Sequence, residues 1–455
     1  MPEPYRLGLA PGVTVSDEDG ALTLVNLCGR VCRITAGDRA RRLVGRLGAE
    51  PVHADDLAGE DPARLYYLLI RLADGGMLSH TLTGDGWSAR LDPTSPRFRA
   101  TTPEAGARLR LSRFALMRRI GGQTAIECPL GHARVVLLGA APMAMAGLLH
   151  EPRSAAELAE AAGVPAAEAE GFMGLLAMAG AAFVCDAPGR LPEDDDEALR
   201  QWTFHDLLFH THTRLGRREA MADVTFRFKG AIKPLPCLKP PMSDQRIALP
   251  GPDGTEESHP FAEMAARRRS RRDIGAPITL EALGHFLHRS ARVQETISAP
   301  LDYDGYAVSH RPAASGGGSH ALDLYLTVAR ADGLEPGFYH YAADDHALER
   351  LGGLAGAPTS MLATAAGMAM MPETPDVLIT LAARFARLSW KYQEIAYALA
   401  LREAGTLVQQ MYLAATDLGL RPCAIGSGDS DLFAEATGLD YYAETSVAEF
   451  ILSGA

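Results

Sequence analysis

The first 186 residues repeat one pattern of strand-like and helix-like segments. The first copy opens with a strand-like run at 21–36 and closes with a helix at 61–78, whose leucines keep helical spacing. The second copy opens with a similar run at 124–140 and closes with a helix and strand at 165–184. Strands, three short helices and a final strand are typical of winged-helix domains. We therefore predict two winged-helix-like domains, at 1–95 and 96–186.

These two domains are candidates for binding either DNA or a peptide. A helix that enters the major groove needs basic and amide side chains, but the helix from Pro165 carries Glu168 and Glu170 without Lys or Arg. The net charge of -12 also disfavours a general nucleic-acid binder. We expect no nucleic-acid partner and interpret both domains as peptide-recognition domains, because an exposed strand edge can accept an extended peptide as an added strand.

Residues 187–254 are predicted to be a connecting segment. The proline-rich run at 230–243 should be extended and contain no helix. Upstream, His205, His210 and His212 share an amphipathic helix, but their spacing fits no standard zinc site, so we predict no metal. Residues 255–455 mix helices and strands without strict alternation, which indicates an α+β domain.

The cellular location is predicted from cysteine use and hydropathy. The six cysteines are scattered and form no CxxC pair, which suits a reducing cytosol. The start of the chain has no signal-peptide pattern. The longest apolar run, 135–149, contains Pro142 and is shorter than the ~20 residues of a membrane helix. We expect a cytoplasmic protein that does not enter a membrane.

Three segments of the last domain contain residues suited to binding or catalysis. The arginine-rich run 267–272 contains guanidinium groups and a hydroxyl that suit a terminal phosphate, or else form a solvated basic patch. The runs 311–320 and 424–431 are rich in glycine and serine, so their backbones could approach a planar ligand or simply form flexible loops. Lys391 and Tyr392 lie directly ahead of an amphipathic helix predicted at 393–418.

In this order, the segments resemble those of the flavin-dependent nitroreductase superfamily. More narrowly, they resemble the SagB-type dehydrogenases, which oxidise azolines in ribosomally synthesised peptides. The resemblance covers 200–455 and is carried by 268–272, 315–326 and 391–420. It implies a nitroreductase-like FMN domain in a homodimer, an azoline-containing precursor peptide as substrate and a cyclodehydratase as a candidate partner.

The resemblance also implies which residues bind FMN. Those near the phosphate and the ribityl chain are Arg268, Arg269, Ser270 and Arg272. Those near the isoalloxazine are Ser315, Gly316 and Gly317, with Gly426 and Ser427 beside N5. Many nitroreductases add a basic residue near the C-terminus, but this chain has no Lys or Arg after Arg421. That phosphate contact is therefore absent or replaced.

Lys391 and Tyr392 are the predicted catalytic pair. Azoline oxidation needs a base for the proton of the ring α-carbon. A lysine in a partly desolvated, cationic pocket can have its pKa lowered toward neutrality, and an adjacent tyrosine can share the proton. The alternative makes Lys391 a surface charge and Tyr392 a packing residue. Glu403, farther along the same helix, is assigned a structural role.

Two other functions compete with peptide azoline oxidation. One is an NAD(P)H-dependent reductase of nitro compounds or quinones on the same fold, which would need neither the long N-terminal half nor the Lys-Tyr pair. The other is an inactive peptide-binding scaffold, which the complete arginine and glycine set disfavours. No GxGxxG motif follows a strand, so we expect oxygen rather than a nicotinamide cofactor to reoxidise the flavin.

Overall fold

A computed structural model describes residues 4–57, 62–95, 97–100, 104, 106–186, 189–218, 223–252, 258–298 and 303–455. The chain forms two compact units, Met1–Ala222 and Asp223–Ala455. Both units mix helices and strands, which confirms the predicted α+β class. The winged-helix character of the N-terminal half stays a prediction.

The strands of the first unit form one large sheet and two small ones. They are β1 (Arg6–Leu9), β2 (Thr14–Glu18), β3 (Ala21–Val25), β4 (Val31–Thr35), β5 (Val52–His53), β6 (Leu78–Gly84), β7 (Trp87–Pro93), β8 (Leu109–Leu111), β9 (Leu116–Ile120), β10 (Gln123–Glu127), β11 (Ala133–Leu138) and β12 (Ala182–Val184). The large sheet has the order β5-β1-β6-β7-β11-β10-β9, and β2-β3-β4 and β12-β8 form the small sheets. Antiparallel pairing of β7 with β11 joins the two predicted repeats in one sheet.

The helices of the first unit follow the strands of each repeat. They are α1 (Asp38–Ala49), α2 (Pro62–Asp74), α3 (Ala140–Leu148), α4 (Ala155–Ala162), α5 (Ala166–Met178), α6 (Pro192–Asp195) and α7 (Phe204–His212). The predicted helical leucines of α2 are all buried, because they form the core with α1 and the adjacent strands. Ser154 and Glu157 form a capping box at the start of α4.

The second unit is built on a seven-stranded antiparallel sheet. The strands of this unit are β13 (Arg246–Ala248), β14 (Ile278–Thr279), β15 (Glu295–Ile297), β16 (Val308–His310), β17 (Leu322–Val328), β18 (Ala331–Asp332), β19 (Gly337–Ala342), β20 (Ala347–Gly352), β21 (Val377–Arg384), β22 (Arg421–Ile425) and β23 (Glu444–Ser453). Four of them lie outside the main sheet, because β14 pairs with β18 and β15 pairs with β16. The main sheet has the order β13-β20-β19-β17-β21-β23-β22. The strands β17 and β21 are therefore central and are buried along their whole lengths.

The helices of the second unit pack on both faces of this sheet. They are α8 (Phe261–Arg267), α9 (Leu280–Ala291), α10 (Ala357–Met368), α11 (Phe385–Ser389), α12 (Ala396–Asp417) and α13 (Ser430–Thr437). One face of β17 contributes Leu324 to a core with α9 and α12, and the other contributes Tyr325 to a core with α10 and α13. The sheet thus holds α12, which follows the Lys391-Tyr392 pair, in a fixed position.

The proline-rich run lies within the second unit and contacts α11 and the residues beside it. Residues 231–245 contain no helix. The Pro236 carbonyl accepts a hydrogen bond from the Arg384 guanidinium at 3.0 Å, and the Ile232 carbonyl accepts one from the Trp390 indole N–H at 2.7 Å. The prolines keep this segment extended and leave its carbonyl oxygens available to the arginine and tryptophan donors.

The described part of the chain contains neither a candidate membrane-spanning helix nor a candidate metal-binding cluster. Among these residues no helix combines the length and the apolar character needed to cross a bilayer. Within the same ranges no group of three or more His, Cys, Asp or Glu side chains is arranged to hold a metal ion. The six cysteines are free thiols.

Candidate active site

Lys391 and Tyr392 lie in the turn between α11 and α12. The long helix begins at Ala396, three residues later than predicted. The backbone N–H of Tyr392 donates to the Leu388 carbonyl at 2.7 Å, which extends the end of α11 by one turn. The two side chains are therefore placed by a helix end rather than by a helix surface.

An extended segment at the start of the second unit holds this turn. The carbonyl of Lys391 accepts hydrogen bonds from the N–H groups of Thr225 at 3.1 Å and Phe226 at 3.3 Å. The N–H of Gln393 donates to the Asp223 carbonyl at 2.9 Å. This pairing replaces helical hydrogen bonds and explains why α12 begins late.

The ammonium group of Lys391 lies over a carbonyl and two aromatic rings. It donates to the carbonyl oxygen of Gly317 at 3.3 Å and lies 5.6 Å and 5.2 Å from the ring centres of Tyr306 and Tyr392. Burial, and secondarily the positive charge of Arg387, lowers the pKa of Lys391. The neutral amine is thus easier to reach here than in an exposed lysine.

The hydroxyl of Tyr392 shares this small space. The side chain is buried, and burial followed by the nearby Tyr306 and Glu403 raises the pKa of its hydroxyl. A methyl group added to Gly317 would lie 2.4 Å from the Lys391 nitrogen and 2.5 Å from the Tyr392 oxygen. The lysine nitrogen and the tyrosine oxygen therefore converge on one glycine.

Arg387 and Tyr306 pack next to the Lys391-Tyr392 pair. The fully buried guanidinium of Arg387 lies 4.3 Å from the Tyr306 ring centre and donates to the carbonyls of Leu235, Ala307 and Ser319. The Tyr306 ring stacks on Trp390 at 5.4 Å. Its hydroxyl hydrogen-bonds to the Arg387 carbonyl at 2.6 Å. These contacts place a positive charge near Lys391 and partly shield its side chain from solvent.

The glycine-rich loop contains Ser315, Gly316 and Gly317 and lies beside the Lys391-Tyr392 pair. Gly317 has a φ of +61°, a left-handed conformation that favours glycine. Ser315 and Gly316 both donate to the buried carboxylate of Glu403, at 2.6 Å and 3.2 Å. The loop is thus an ordered structure joined to α12, in contrast to a free flexible loop.

The arginine-rich segment is joined to the second glycine-rich segment through Tyr412. The guanidinium of Arg268 lies 5.1 Å from the Tyr412 ring centre, and the Ser270 hydroxyl is 2.8 Å from the Tyr412 hydroxyl. The same tyrosine oxygen accepts the N–H of Ala424 at 2.8 Å. Tyr412 therefore brings Arg268 and Ser270 close to the end of β22, two residues before Gly426.

The other arginines of the segment have different surroundings. Arg269 and Arg272 are exposed. Arg271 pairs with Asp273 at 2.8 Å, and Arg421 pairs with the same carboxylate at 2.9 Å. These two arginines hold the pKa of Asp273 well below its usual range. Arg421, the last basic residue of the chain, thus lies beside the arginine-rich segment.

Gly426 and Ser427 form an exposed turn between β22 and α13. The next residue, Gly428, lies against the buried side chain of Glu449, because a methyl group added there would lie 2.0 Å from the Glu449 carboxyl carbon. Burial raises the pKa of Glu449. This carboxyl group beside the turn was not predicted, since it belongs to the last strand and lies outside any motif.

The donor set of these residues fits FMN. The cationic side chains of Arg268, Arg269 and Arg272 suit a phosphate, and the glycine loop at 315–318 offers backbone that can approach a flat ring. Both segments contact α12, the glycine loop through Glu403 and the arginine segment through Tyr412. Sequence reasoning did not identify Tyr306, Arg387 or Tyr412, because buried aromatic and arginine side chains carry no local motif.

Two family models match separate parts of the chain, and both describe oxidoreductases. Residues 265–451 match the nitroreductase family, and residues 109–219 match the cyanobactin oxidase ThcOx. The chain therefore contains one segment that matches the cyanobactin oxidase and another that matches the nitroreductase family, which confirms the predicted resemblance. FMN is the cofactor of this family.

Individual proteins resemble part of the chain. A nitroreductase-named protein of Methanocaldococcus jannaschii is 28% identical over 166 residues, which are 36% of this chain and 77% of the relative. A nitroreductase-type structure from Ralstonia eutropha is 21% identical, covers 51% of this chain and 97% of its own, and has a TM-score of 0.37. The Escherichia coli microcin synthetase complex with a truncated precursor bound is 18% identical, with coverages of 45% and 76% and a TM-score of 0.34.

Proposed function

We propose that this protein is an FMN-dependent dehydrogenase that oxidises thiazoline or oxazoline rings of a ribosomally synthesised peptide to thiazoles or oxazoles. The single observation that carries this proposal is the convergence of the Lys391 nitrogen and the Tyr392 oxygen on Gly317, a residue of the loop that would line the flavin ring. The match of residues 109–219 to a cyanobactin oxidase supports a peptide substrate.

The reaction requires the removal of a proton and a hydride from one ring. The ring α-carbon loses the proton, the neighbouring ring carbon loses the hydride, and a second double bond completes the aromatic azole. FMN, when bound, supplies the two-electron acceptor for the hydride. Lys391 in its neutral form takes the proton, and its lowered pKa makes that form available.

Tyr392 assists as a proton partner. Its raised pKa keeps the hydroxyl protonated, so it can donate a hydrogen bond at the ring while the lysine accepts the proton. Both groups lie on the Gly317 side of the loop, and the Gly317 carbonyl holds the lysine nitrogen at 3.3 Å. This arrangement would present a base and a hydrogen-bond donor to one face of the substrate ring.

Arg268, Arg269, Ser270 and Arg272 would hold the FMN phosphate and the ribityl chain. Ser315, Gly316, Gly317, Gly426 and Ser427 would line its ring. Arg421 lies beside the arginine segment and is a candidate to replace the missing C-terminal phosphate contact, although its guanidinium pairs with Asp273 at 2.9 Å. A homodimer around FMN, a cytoplasmic location and a cyclodehydratase that supplies the azoline belong to the same proposal.

The N-terminal unit would recognise the precursor peptide. Most residues of α5 are buried, including Phe172 and Leu176, so this helix cannot enter a DNA groove. The strand β4 lies at one edge of its three-stranded sheet, where an extended peptide could pair with it. These features support peptide binding over nucleic-acid binding.

The proposal is tested with the purified protein, FMN and a synthetic peptide that contains a thiazoline. The expected result is loss of two hydrogen atoms from the peptide, seen by mass spectrometry, together with the ultraviolet absorption of the conjugated azole. A parallel assay offers NADH or NADPH with a nitroaromatic compound or a quinone. Rapid reduction of these acceptors, with no change in the thiazoline peptide, would replace the proposal by the nitro or quinone reductase.

A further inference from the structure

Glu403 holds both ends of the glycine-rich loop. Its side chain lies on α12 and is only 5% exposed. One carboxylate oxygen accepts the Ser315 hydroxyl at 2.6 Å and the Gly316 N–H at 3.2 Å. The other accepts the Ala321 N–H at 3.0 Å. One buried carboxylate therefore closes the loop from Ser315 to Ala321.

This loop has a backbone conformation that needs such support. Gly317, Gly318 and His320 all have positive φ angles, of +61°, +67° and +41°. A left-handed conformation is unfavourable for a residue with a side chain, so His320 is under strain. The backbone-to-backbone hydrogen bonds within the loop are long, at 3.4 Å from Gly318 and 3.3 Å from Ser319, whereas the Ser315 hydroxyl donates to Glu403 at 2.6 Å.

The loop in turn holds the lysine. The carbonyl of Gly317, in the middle of the closed segment, accepts the hydrogen bond from Lys391. Ser315 links the two halves of the loop, because its oxygen donates to Glu403 and accepts the His320 N–H at 2.8 Å. A shift of the carboxylate would therefore move Gly316, Gly317 and the lysine contact together.

We propose that Glu403 is a positioning residue whose ionised carboxylate sets the loop at 315–321 for FMN and, through the Gly317 carbonyl, sets the place of Lys391. All three groups that contact it are donors, so an acceptor-only carboxylate satisfies them and an amide would not. The part that concerns Lys391 rests on the proposed function, whereas the part that concerns FMN rests on the loop alone.

The test compares Glu403→Gln with Glu349→Gln in the full-length protein. Glutamine keeps the volume but places an NH₂ group against a donor, so at least one loop hydrogen bond is lost. Glu349 is a matched control, because it is 1% exposed and accepts from the Met242 N–H at 3.0 Å. It lies on β20, and β19 separates that strand from β17, which follows the glycine loop. Binding of FMN to the apo-protein is followed by quenching of flavin fluorescence, and bound FMN by its visible spectrum.

The expected result is a rise of about tenfold in the FMN dissociation constant and an altered flavin spectrum for Glu403→Gln, with an unchanged far-UV spectrum. This corresponds to about 1.4 kcal/mol. Glu349→Gln should keep wild-type FMN affinity and spectrum. With a thiazoline peptide, Glu403→Gln should lower kcat more than it raises KM. Wild-type FMN affinity and spectrum in Glu403→Gln would reduce Glu403 to a packing residue and overturn the proposal.

Ser315→Ala provides a second test should Glu403→Gln fail to fold. It removes the shortest loop contact and leaves the carboxylate in place, so it should weaken FMN binding in the same direction but less. Unchanged FMN affinity and spectrum in Ser315→Ala would also contradict the proposal. If wild type fails to oxidise azolines while Glu403→Gln still loses FMN affinity, the proposed function fails and the role of Glu403 in FMN binding stands.

Discussion

The carbonyl oxygen of Gly317 accepts a hydrogen bond from the Lys391 ammonium at 3.3 Å. Gly317 is left-handed, and a methyl group at its α-carbon would meet both the lysine nitrogen and the Tyr392 oxygen. Backbone conformation and side-chain contact thus require glycine at the same position. This relationship joins the two segments that the sequence analysis had linked only by resemblance.

Gly317→Ala should therefore abolish azoline oxidation while the protein remains folded. The substitution adds left-handed strain of roughly 1–2 kcal/mol and pushes the lysine and tyrosine apart. Gly438→Ala is the matched control, since Gly438 has a φ of +68° and nothing within 4 Å of an added methyl group. Both variants should lose similar thermal stability, but only Gly317→Ala should lose activity. Equal activity in the two variants would contradict the role of this contact.

Lys391→Ala and Tyr392→Phe should each keep FMN and the fold but lose azoline oxidation. Loss of a general base should slow flavin reduction by ~10²–10⁴-fold. The measurement is anaerobic flavin reduction by a thiazoline peptide in a stopped-flow instrument. Lys229→Ala, which changes an exposed lysine of the same unit, is the control. Wild-type rates in both Lys391→Ala and Tyr392→Phe would assign the proton to another base.

The rate of flavin reduction should rise with pH. Burial and Arg387 disfavour the ammonium form of Lys391, so its pKa lies below the ordinary value of 10.5. The neutral amine is the proposed base, and the rate should therefore increase as Lys391 loses its proton, with a midpoint below that value. Lys391→Arg should remove this rise, since a guanidinium keeps its proton. An unchanged pH profile in Lys391→Arg would show that another group titrates.

Arg268→Ala and Arg272→Ala should weaken FMN binding. Each lost charge-assisted contact with the phosphate should cost about 1.5–3 kcal/mol, which raises the dissociation constant about 10- to 150-fold. Arg267→Ala is a neighbouring control, because Arg267 pairs with Glu263 of its own helix at 3.0 Å. Titration of apo-protein with FMN measures all three. A colourless, folded wild-type protein that takes up no FMN would contradict the whole assignment.

The full-length protein should bind a precursor peptide and not duplex DNA. The reason is that α5 carries Glu168 and Glu170, has no basic residue and is largely buried. Fluorescence anisotropy with a labelled peptide and a labelled duplex compares the two ligands at several salt concentrations. Tight binding of the duplex that weakens steeply with salt would instead identify a DNA-binding protein.

Secondary structure was predicted best where the hydrophobic pattern is long. The run at 376–385 predicts a buried strand, and β21, at Val377–Arg384, is buried along its whole length. Leu322, Leu324 and Leu326 alternate with polar residues, a pattern that predicts a strand with one apolar face. The strand β17 exists, yet Asp323 and Thr327 are buried as well. Both faces of β17 are buried because the strand lies between β19 and β21 and helices pack on each side of the sheet.

The site was predicted in its parts and not in its connections. The Lys391-Tyr392 pair and the three glycine- or arginine-rich segments are local motifs, so they can be found in the sequence. Glu403 and Tyr412, which join these segments, sit in an ordinary amphipathic helix. Their side chains reach partners 88 and 142 residues away in the chain. No local pattern marks such contacts.

The sequence by itself determined the α+β class, the helix that becomes α12 and the residue types suited to a phosphate, a flat ring and a proton transfer. These depend on hydrophobic periodicity, backbone freedom and side-chain chemistry, all of which act over a few residues. Only the tertiary structure decided that Lys391 and Tyr392 meet at Gly317 and that Glu403 closes the loop beneath them. Those contacts arise because one sheet holds α12 against distant loops, and burial then lowers the pKa of Lys391.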